Sequence, residues 1–422
     1  MRNKGCFSSA EILLPDFDKV DGTKWSVVAC DQYTSEVQYW KQAESIVGDA
    51  PSTLQMILPE VYLKETDARV PKINGAMQKI AADTLLAYPD AMICLDRVQS
   101  NGRHRLGIIG AVDLECYDYT RGSDALIRAT EGTVLERIPP RVAIRRDAPL
   151  EMPHVMLLID DPAQTVIEPA RKACADRAPI YDFDLMLGGG HVRGRLLTKE
   201  EQTTVINALQ ELITPAQMEA RYGDSSLAPL LFAVGDGNHS LATAKAAYEE
   251  VKAKIGAEAA RSHPARYALA EIVNLHDPAL EFEPIYRVVF GVDPKELMGE
   301  LASYANAQNG TAAPQSMLFI TQEGESTLTV NTPVQQLTVG TLQSFLFDYC
   351  KTHPQAEVDY IHGEDSLRSL LDRPDAIGFL FDGMQKNELF RTVIYDGALP
   401  RKTFSMGHAP DKRYYLECRK IK

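Results

Sequence analysis

The sequence lacks the features that define several large classes of protein. Its seven cysteines are an odd number, lie far apart and include no CxxC pair, which argues against a disulfide framework or zinc ribbon and is typical of reduced thiols. No window approaches about 18 consecutive apolar residues, and the N-terminal segment has no apolar stretch long enough for a signal peptide. We therefore expect a cytoplasmic protein with no membrane partner.

Several catalytic motifs are also absent. The sequence contains no HExxH, GxxxxGK(S/T), GxSxG or SxxK segment, which argues against zinc metalloproteases, P-loop nucleotidases, α/β hydrolases and β-lactamase-type acylation. There is no internal repeat and no low-complexity tract, so solenoid and propeller folds are unsupported.

Positive charge is scarce relative to negative charge. The 44 lysines and arginines stand against 58 aspartates and glutamates, a formal net charge of −14 at pH 7. Such a chain repels nucleic acid at long range. A small anionic ligand is still compatible with it, because a pocket of backbone N–H groups and two or three cations acts at contact distance. We expect small-molecule partners and no nucleic acid, and the oligomeric state stays open.

Turn signals and apolar periodicity indicate the fold class. The 422 residues, 45% hydrophobic and 24% charged, are typical of a globular chain of two or three domains. Strand-like runs at 91–97 and 105–114 flank Asn101-Gly102, a strong hairpin signal. Because hairpins alternate with isolated helices, we predict an α+β fold with mixed sheets and packed helices. We expect a core domain at 1–305 and a C-terminal α+β segment at 306–422 that packs back on it.

A glycine loop in the predicted core is the best candidate site. A buried strand at 227–234 leads directly into this loop, and a helix follows at 241–255. Glycines let the backbone approach a ligand, and the N-terminus of the helix favours a phosphate. Asp236 could hold a divalent metal, and His239 could contact phosphate or transfer a proton. The loop comprises Gly235, Asp236, Gly237, Asn238, His239 and Ser240.

A purely structural interpretation of this loop stays open. The glycines then only make a turn, Asp236 caps the helix, and His239 lies in its first turn. The spacing of these residues does not distinguish the two interpretations.

Three segments carry a resemblance to a known family. The segment 235–244, GDGNHSLATA, resembles the (A/G)DGHHRxxTA signature of the bacterial and archaeal family called domain of unknown function 1015. Segment 127–133, IRATEGT, is similar to its HExT stretch, and 399–403, LPRKT, to its C-terminal (M/L)PxKST stretch. The resemblance spans nearly the whole chain. One departure is Ser240, which stands where the family usually has an arginine that would face phosphates.

The DGxH loop is also similar to that of ParB-like free-serine kinases. In those enzymes the Asp and the His of this motif lie at the phosphoryl-transfer site. The resemblance implies a ParB- or sulfiredoxin-like nucleotide-binding core, with ATP or ADP and Mg²⁺ as cofactors.

The other candidate residues gain weight from the family resemblance. Glu131, between Arg128 and Thr133, offers a carboxylate among guanidiniums and hydroxyls, as phosphoryl transfer requires; the alternative is a surface ion pair. Asp31 follows a strand-like segment at 25–30 and is an alternative base, or a turn residue. Two more residues, Arg401 and Lys402, are either solvated tail or phosphate ligands that replace the missing arginine.

Three functions follow from these residues. The first is a small-molecule phosphotransferase, with free serine as the acceptor to test first. The second is a non-catalytic nucleotide-binding regulator. The third is a dinucleotide-dependent oxidoreductase, because Gly235, Gly237 and Ser240 fall one glycine short of GxGxxG.

Overall fold

The structure is a computed structural model, and it describes residues 5–132 and 138–422. Its strands, in chain order, are β1 (Phe7–Ser8), β2 (Ala10–Pro15), β3 (Leu85–Ala91), β4 (Ile93–Val98), β5 (His104–Asp113), β6 (Tyr117–Asp118), β7 (Ile127–Ala129), β8 (Leu150–Glu151), β9 (Met156–Ile159), β10 (Tyr181–Asp184), β11 (His191–Leu196), β12 (Phe232–Asp236), β13 (Tyr267–Asn274), β14 (Phe282–Phe290), β15 (Gln315–Thr321), β16 (Gly324–Val330), β17 (Glu357–His362), β18 (Ala376–Leu380), β19 (Phe404–Met406) and β20 (Arg419–Lys420). Its α-helices are α1 (Val37–Val47), α2 (Thr66–Asp83), α3 (Ile138–Asp147), α4 (Ile167–Ala173), α5 (Lys199–Glu211), α6 (Pro215–Tyr222), α7 (Asn238–Ile255), α8 (Ala257–Ala260), α9 (Pro294–Ala307), α10 (Thr338–Thr352), α11 (Glu364–Arg368) and α12 (Lys386–Asp396).

The chain divides into two compact units. Unit 1 holds the described residues within Met1–Ala129, Thr133–Leu280 and Gly407–Lys422, and unit 2 holds Thr130–Gly132 and Glu281–Met406. The chain thus enters unit 2 twice, briefly at Thr130–Gly132 and then over Glu281–Met406, and residues from Gly407 onward belong to unit 1 again. The predicted domains at 1–305 and 306–422 stay a prediction.

A large mixed sheet organises unit 1. Its strand order is β10-β11-β4-β5-β13-β9-β12-β7-β6, and β1 pairs with β5. The predicted hairpin is confirmed, because β4 and β5 pair antiparallel across a turn in which Gly102 has a φ of +79°. Only a residue that tolerates the left-handed region fits this turn easily, as glycine does. Side chains such as Ile108, Leu157 and Phe232 are fully buried in the core.

The two ends of the chain meet in unit 1. The segment at 25–30, predicted as a strand, forms no strand and makes one isolated bridge, between Val28 and Arg413. Backbone hydrogen bonds join Ala29 N–H to the Lys412 carbonyl at 2.7 Å and Tyr414 N–H to the Val27 carbonyl at 3.0 Å. The C-terminal segment 411–417 is therefore part of the core of unit 1.

Unit 2 has its own sheet, with the order β16-β15-β18-β14-β17, and β19 also pairs with β14. Val288, Ile320 and Leu367 are among the buried residues of its core. Hairpins, mixed sheets and packed helices in both units confirm the α+β class. Among the described residues, no helix combines the length and the apolar character needed to cross a bilayer.

Candidate functional site

The glycine loop joins β12 to α7 in unit 1. Phe232 to Val234 are buried, and the register of β12 against β9 shifts between Val234 and Asp236. Such a bulge re-aims the side chain that follows it. Gly237 has a φ of +80°, and a Cβ there would lie 2.1 Å from the carbonyl oxygen of His154. The loop therefore needs glycine at this position for both conformation and space.

Asp236 lies between two cationic side chains. Its Oδ1 accepts the N–H of Gly237 at 2.8 Å, and its Oδ2 lies 3.3 Å from His154 Nε2 and 3.6 Å from Lys412 Nζ. Burial raises the pKa of the Asp236 carboxyl, but the charges of His154 and Lys412 outweigh burial and hold it far below its usual range. The carboxylate is thus ionised at neutral pH.

A hydrogen bond at the Nδ1 nitrogen orients the ring of His154. Its Nδ1 lies 2.8 Å from the main-chain oxygen of Arg413, and because a carbonyl only accepts, Nδ1 must carry a proton. Its Nε2 faces the Asp236 carboxylate, which favours a second proton there. Burial lowers the pKa of His154, but the charge of Asp236 outweighs burial, and the net shift is upward. We therefore treat His154 as an imidazolium when it faces Asp236.

The rest of the loop forms the first turn of α7. Asn238, His239 and Ser240 are the first three residues of this 18-residue helix, and the hydroxyl of Thr243 donates to the His239 carbonyl at 2.7 Å. The N–H groups at the start of a helix and the positive end of its dipole favour an anion. The structure thus places the predicted loop at an anion-favouring helix start.

A cavity of about 180 Å³ adjoins this helix start. His154 and Ser240 line it, together with the guanidiniums of Arg141 and Arg145. Its apolar wall comes from Met56, Ile57, Leu58, Leu63, Met77, Ile144, Met152, Val155 and Leu241. A cavity with an apolar wall and a few charged groups suits a small ligand.

The arginines of the cavity are balanced by carboxylates. Glu60 and Glu151 also line the cavity. Arg141 pairs with Glu60, and Arg145 pairs with Glu151, which also accepts from Arg419 at 3.0 Å. The excess of positive charge lies instead at Asp236, whose single carboxylate faces His154 and Lys412. The start of α7 therefore attracts an anion.

Asp31 lies within electrostatic reach of these groups. Its side chain is exposed, its Oδ1 accepts from the Gln32 amide at 3.1 Å, and its charge raises the pKa of both His154 and Arg141. The structure thus brings Asp31 into the neighbourhood of the loop, although the two are far apart in sequence.

Arg128 is buried in unit 1 and bonded to the main chain. Its guanidinium donates to the carbonyl oxygens of Ala125 at 2.8 Å, Ala228 at 3.0 Å and Pro229 at 3.2 Å. These bonds connect β7 to the segment before β12. The phosphate-binding role of Arg128 stays a prediction.

The remaining candidates lie in unit 2, except Thr133, which is outside the described residues. Glu131 forms a parallel bridge with Leu399, and its charge acts on Arg287. Arg287 Nη2 donates to the Arg401 carbonyl at 3.1 Å. Lys402, whose φ is +53°, places its Nζ 4.8 Å from the Tyr360 ring centroid. Glu131, Arg401 and Lys402 are thus neighbours within unit 2, and their catalytic and phosphate-binding roles stay predictions.

The donor set at Asp236 does not fit a divalent cation. Both carboxylate oxygens already face cations or an N–H group, whereas Mg²⁺ prefers several oxygen ligands. Within residues 5–132 and 138–422, the group of three potential ligands close enough to share an ion is Glu296, Glu300 and His353 in unit 2, with ligand atoms within 4.8 Å of one another. The metal role of Asp236 stays a prediction without a matching set of donors.

His154, Lys412, Arg141 and Arg145 were missed by the sequence reasoning. None of them belongs to a motif, and the spacing between them carries no periodic signal. Only the order of the strands and the return of the C-terminal segment bring them to the glycine loop.

Comparisons with known proteins identify a family but no activity. The family model described as "Protein of unknown function (DUF1015)" matches residues 15–347. No curated protein matches the sequence.

Among solved structures, a conserved hypothetical protein from Pyrococcus furiosus is similar with a TM-score of 0.32 and 10% identity, over 68% of this chain and 90% of that chain. A free serine kinase in complex with AMP has a TM-score of 0.34 and 10% identity, over 72% and 92%. SbnI from Staphylococcus aureus, truncated at its C-terminus, has a TM-score of 0.33 and 10% identity, over 71% and 82%. These similarities are weak.

Proposed function

The chain belongs to the family described as "Protein of unknown function (DUF1015)", and we propose that it is a small-molecule phosphotransferase that uses ATP or ADP. The observation that carries this proposal is the excess of positive charge at the start of α7, where His154 and Lys412 face the single carboxylate of Asp236. In a chain with a net charge of −14, a local excess of this kind is what a phosphate site requires.

In this proposal the loop binds the phosphates of the nucleotide. The first N–H groups of α7, Lys412 and the His154 imidazolium supply positive charge, and Asp236 holds those two side chains in place. His239 contacts the phosphoryl group that is transferred. Arg141 and Arg145 replace the arginine that the family usually has at Ser240, a role for which Arg401 and Lys402 are the alternative.

The transfer needs a base for the acceptor. The acceptor hydroxyl oxygen forms the new bond to phosphorus, the bond from phosphorus to the leaving nucleotide oxygen breaks, and the hydroxyl proton passes to a carboxylate. Asp31 is the carboxylate of unit 1 that supports this role, because its charge reaches His154. Glu131 is the alternative base.

The topology argues against the oxidoreductase alternative. β12 is antiparallel to β9, and β9 is parallel to β13, so the strand that follows α7 in the sheet runs against β12. A dinucleotide fingerprint opens a βαβ unit whose two strands are parallel. The glycine loop does not occupy such a unit.

The proposal is tested by incubating the purified chain with ATP or ADP, Mg²⁺ and L-serine and measuring phosphoserine by mass spectrometry. We expect phosphoserine with serine and no product with glycine, which lacks the hydroxyl. We expect Asp236→Asn to lower the rate and the nucleotide affinity measured by calorimetry. Absence of transfer to any small hydroxylated acceptor, with nucleotide affinity unchanged in Asp236→Asn, would contradict the proposal. Tight nucleotide binding without turnover would support the regulator instead.

The variant Lys412→Met tests whether Lys412 contacts the nucleotide or only contributes to the net charge of the protein. Loss of a charge-assisted contact to phosphate weakens nucleotide binding by roughly tenfold or more, about 1.4 kcal/mol. Lys254→Met is the matched control, because Lys254 is exposed in the last turn of α7. Equal nucleotide affinities for the two variants would show that Lys412 does not contact the nucleotide.

A further inference from the structure

Two buried arginines converge on a second, smaller cavity in unit 1. Arg97 lies on β4 opposite Arg105 of β5 and is 3% exposed, and Arg413 of the C-terminal segment is 1% exposed. Both line a cavity of about 20 Å³, together with Ser26, Tyr181 and other residues. This cavity is distinct from the one beside α7, and the proposed phosphate site does not use Arg97 or the Arg413 side chain.

Several N–H groups of these two guanidiniums have no acceptor. Nε and Nη2 of Arg97 and Nε and Nη1 of Arg413 are buried without a hydrogen-bond partner among the described residues. Arg413 Nη2 donates to the Ser26 carbonyl at 2.5 Å. The hydroxyl of Tyr39, which lies close to the Arg413 guanidinium, also has no such partner. Buried donors are rarely left unsatisfied, so these donors indicate a bound acceptor.

The carboxylates nearby are engaged elsewhere. Glu271 accepts from Arg105 at 2.8 Å, and Asp411 accepts the N–H and the hydroxyl of Ser100, each at 2.7 Å. Glu417 lines the cavity as well, but it accepts from the Tyr181 hydroxyl at 2.6 Å, and its burial raises its pKa to about 7. None of these carboxylates forms an ion pair with Arg97 or Arg413 within the described part of the chain.

The two arginines therefore remain cations that make no ion pair within the described residues, although the charge of Asp411 acts on both of them. Burial, together with the charges of Arg105 and Arg413, lowers the pKa of Arg97 to about 9, which still leaves it protonated at neutral pH. Two like charges in one buried cavity repel each other, and an anion between them relieves both the repulsion and the unsatisfied donors.

We propose that Arg97 and Arg413 bind one small monovalent anion of the size of chloride in this cavity. A volume of about 20 Å³ holds a particle about as large as a water molecule and excludes a nucleotide or a phosphate ester. Water would accept hydrogen bonds but would leave the charge of the two guanidiniums uncompensated. The anion would fasten the C-terminal segment 411–417 to the sheet of unit 1.

The test compares the melting temperature of the full chain in sodium chloride, sodium bromide and sodium gluconate at constant ionic strength, because gluconate is too large for the cavity. We expect chloride and bromide to raise the melting temperature saturably by roughly 2–5 °C over gluconate. Arg97→Met should lose this dependence. Arg146→Met should keep it, because Arg146 is an exposed residue paired with Glu250 on the surface.

A second measurement needs no variant. Crystals of the wild-type chain grown in bromide should show anomalous scattering between the two guanidiniums. A water molecule there instead, or melting temperatures equal in chloride and gluconate, would overturn the proposal. An unchanged chloride dependence in a folded Arg97→Met variant would overturn it as well.

Discussion

The Asp236–His154 pair makes a stability contribution that depends on pH. The pKa of folded His154 lies above its ordinary value, so its contribution is complete below about pH 6.5 and disappears as the pH rises through the folded-state pKa. The pKa of folded Asp236 lies below its ordinary value, so its contribution is present above about pH 4 and disappears as the pH falls through the folded-state pKa. The pair is therefore fully effective between about pH 4 and 6.5.

His154→Gln tests this window. We expect the variant to lose about 1–3 kcal/mol in free energy of unfolding near pH 5.5, the cost of leaving the Asp236 carboxylate with one charged partner fewer, and less near pH 9. Urea unfolding at both pH values measures the difference. His104→Gln is the control, since His104 faces Asp96 at 3.1 Å but its side chain is 65% exposed, and exposed pairs contribute about 0–1 kcal/mol. An equal loss for His154→Gln at both pH values would show that the imidazole is neutral.

The turn between β12 and α7 depends on one glycine. In Gly237→Ala the new Cβ meets the His154 carbonyl oxygen and the left-handed φ adds strain, so we expect a loss of about 2–4 kcal/mol in stability. Gly223→Ala is a matched control, because Gly223 ends α6 with a φ of +81° and has nothing within 4 Å of its Cβ position. It should lose only about 1 kcal/mol. Thermal or urea unfolding of both variants measures the difference. Equal losses of stability would show that the close approach to the His154 carbonyl does not destabilise Gly237→Ala.

At the level of the molecule, the last residues of the chain complete unit 1. Trp25 Nε1 donates to the Leu416 carbonyl at 3.1 Å, and Leu13 and Cys418 exchange backbone hydrogen bonds at 2.8 Å. Deletion of residues 407–422 removes these bonds together with Lys412 and Arg413. We expect the shortened chain to lose the cooperative unfolding transition of unit 1 by calorimetry, whereas deletion of the exposed Lys422 alone should leave it unchanged. A shortened chain that keeps this transition would show that the tail is dispensable.

Local chemistry made part of the fold and of the site predictable. The hairpin at Gly102 and the glycine loop between β12 and α7 follow from turn residues and apolar periodicity, which act over a few neighbouring residues. The family resemblance then selected this loop among several glycine turns. Arg401 and Lys402 became candidates only through that resemblance, since basic residues near a C-terminus have no diagnostic spacing, and the resemblance also added weight to Glu131.

Pairing between segments far apart in the chain determined the partners of the site residues. His154 reaches Asp236 because β9 lies beside β12 in the sheet, and Lys412 reaches it because the C-terminal segment pairs with residues 27–29. The main-chain partners of Arg128 have the same origin, because strand order brings the carbonyl oxygen of Ala228 to its guanidinium. The amino-acid order thus established the α+β class and the position of the loop, which depend on neighbouring residues. The partners and charge states of the site depend on strand order and burial, and no local pattern encodes either.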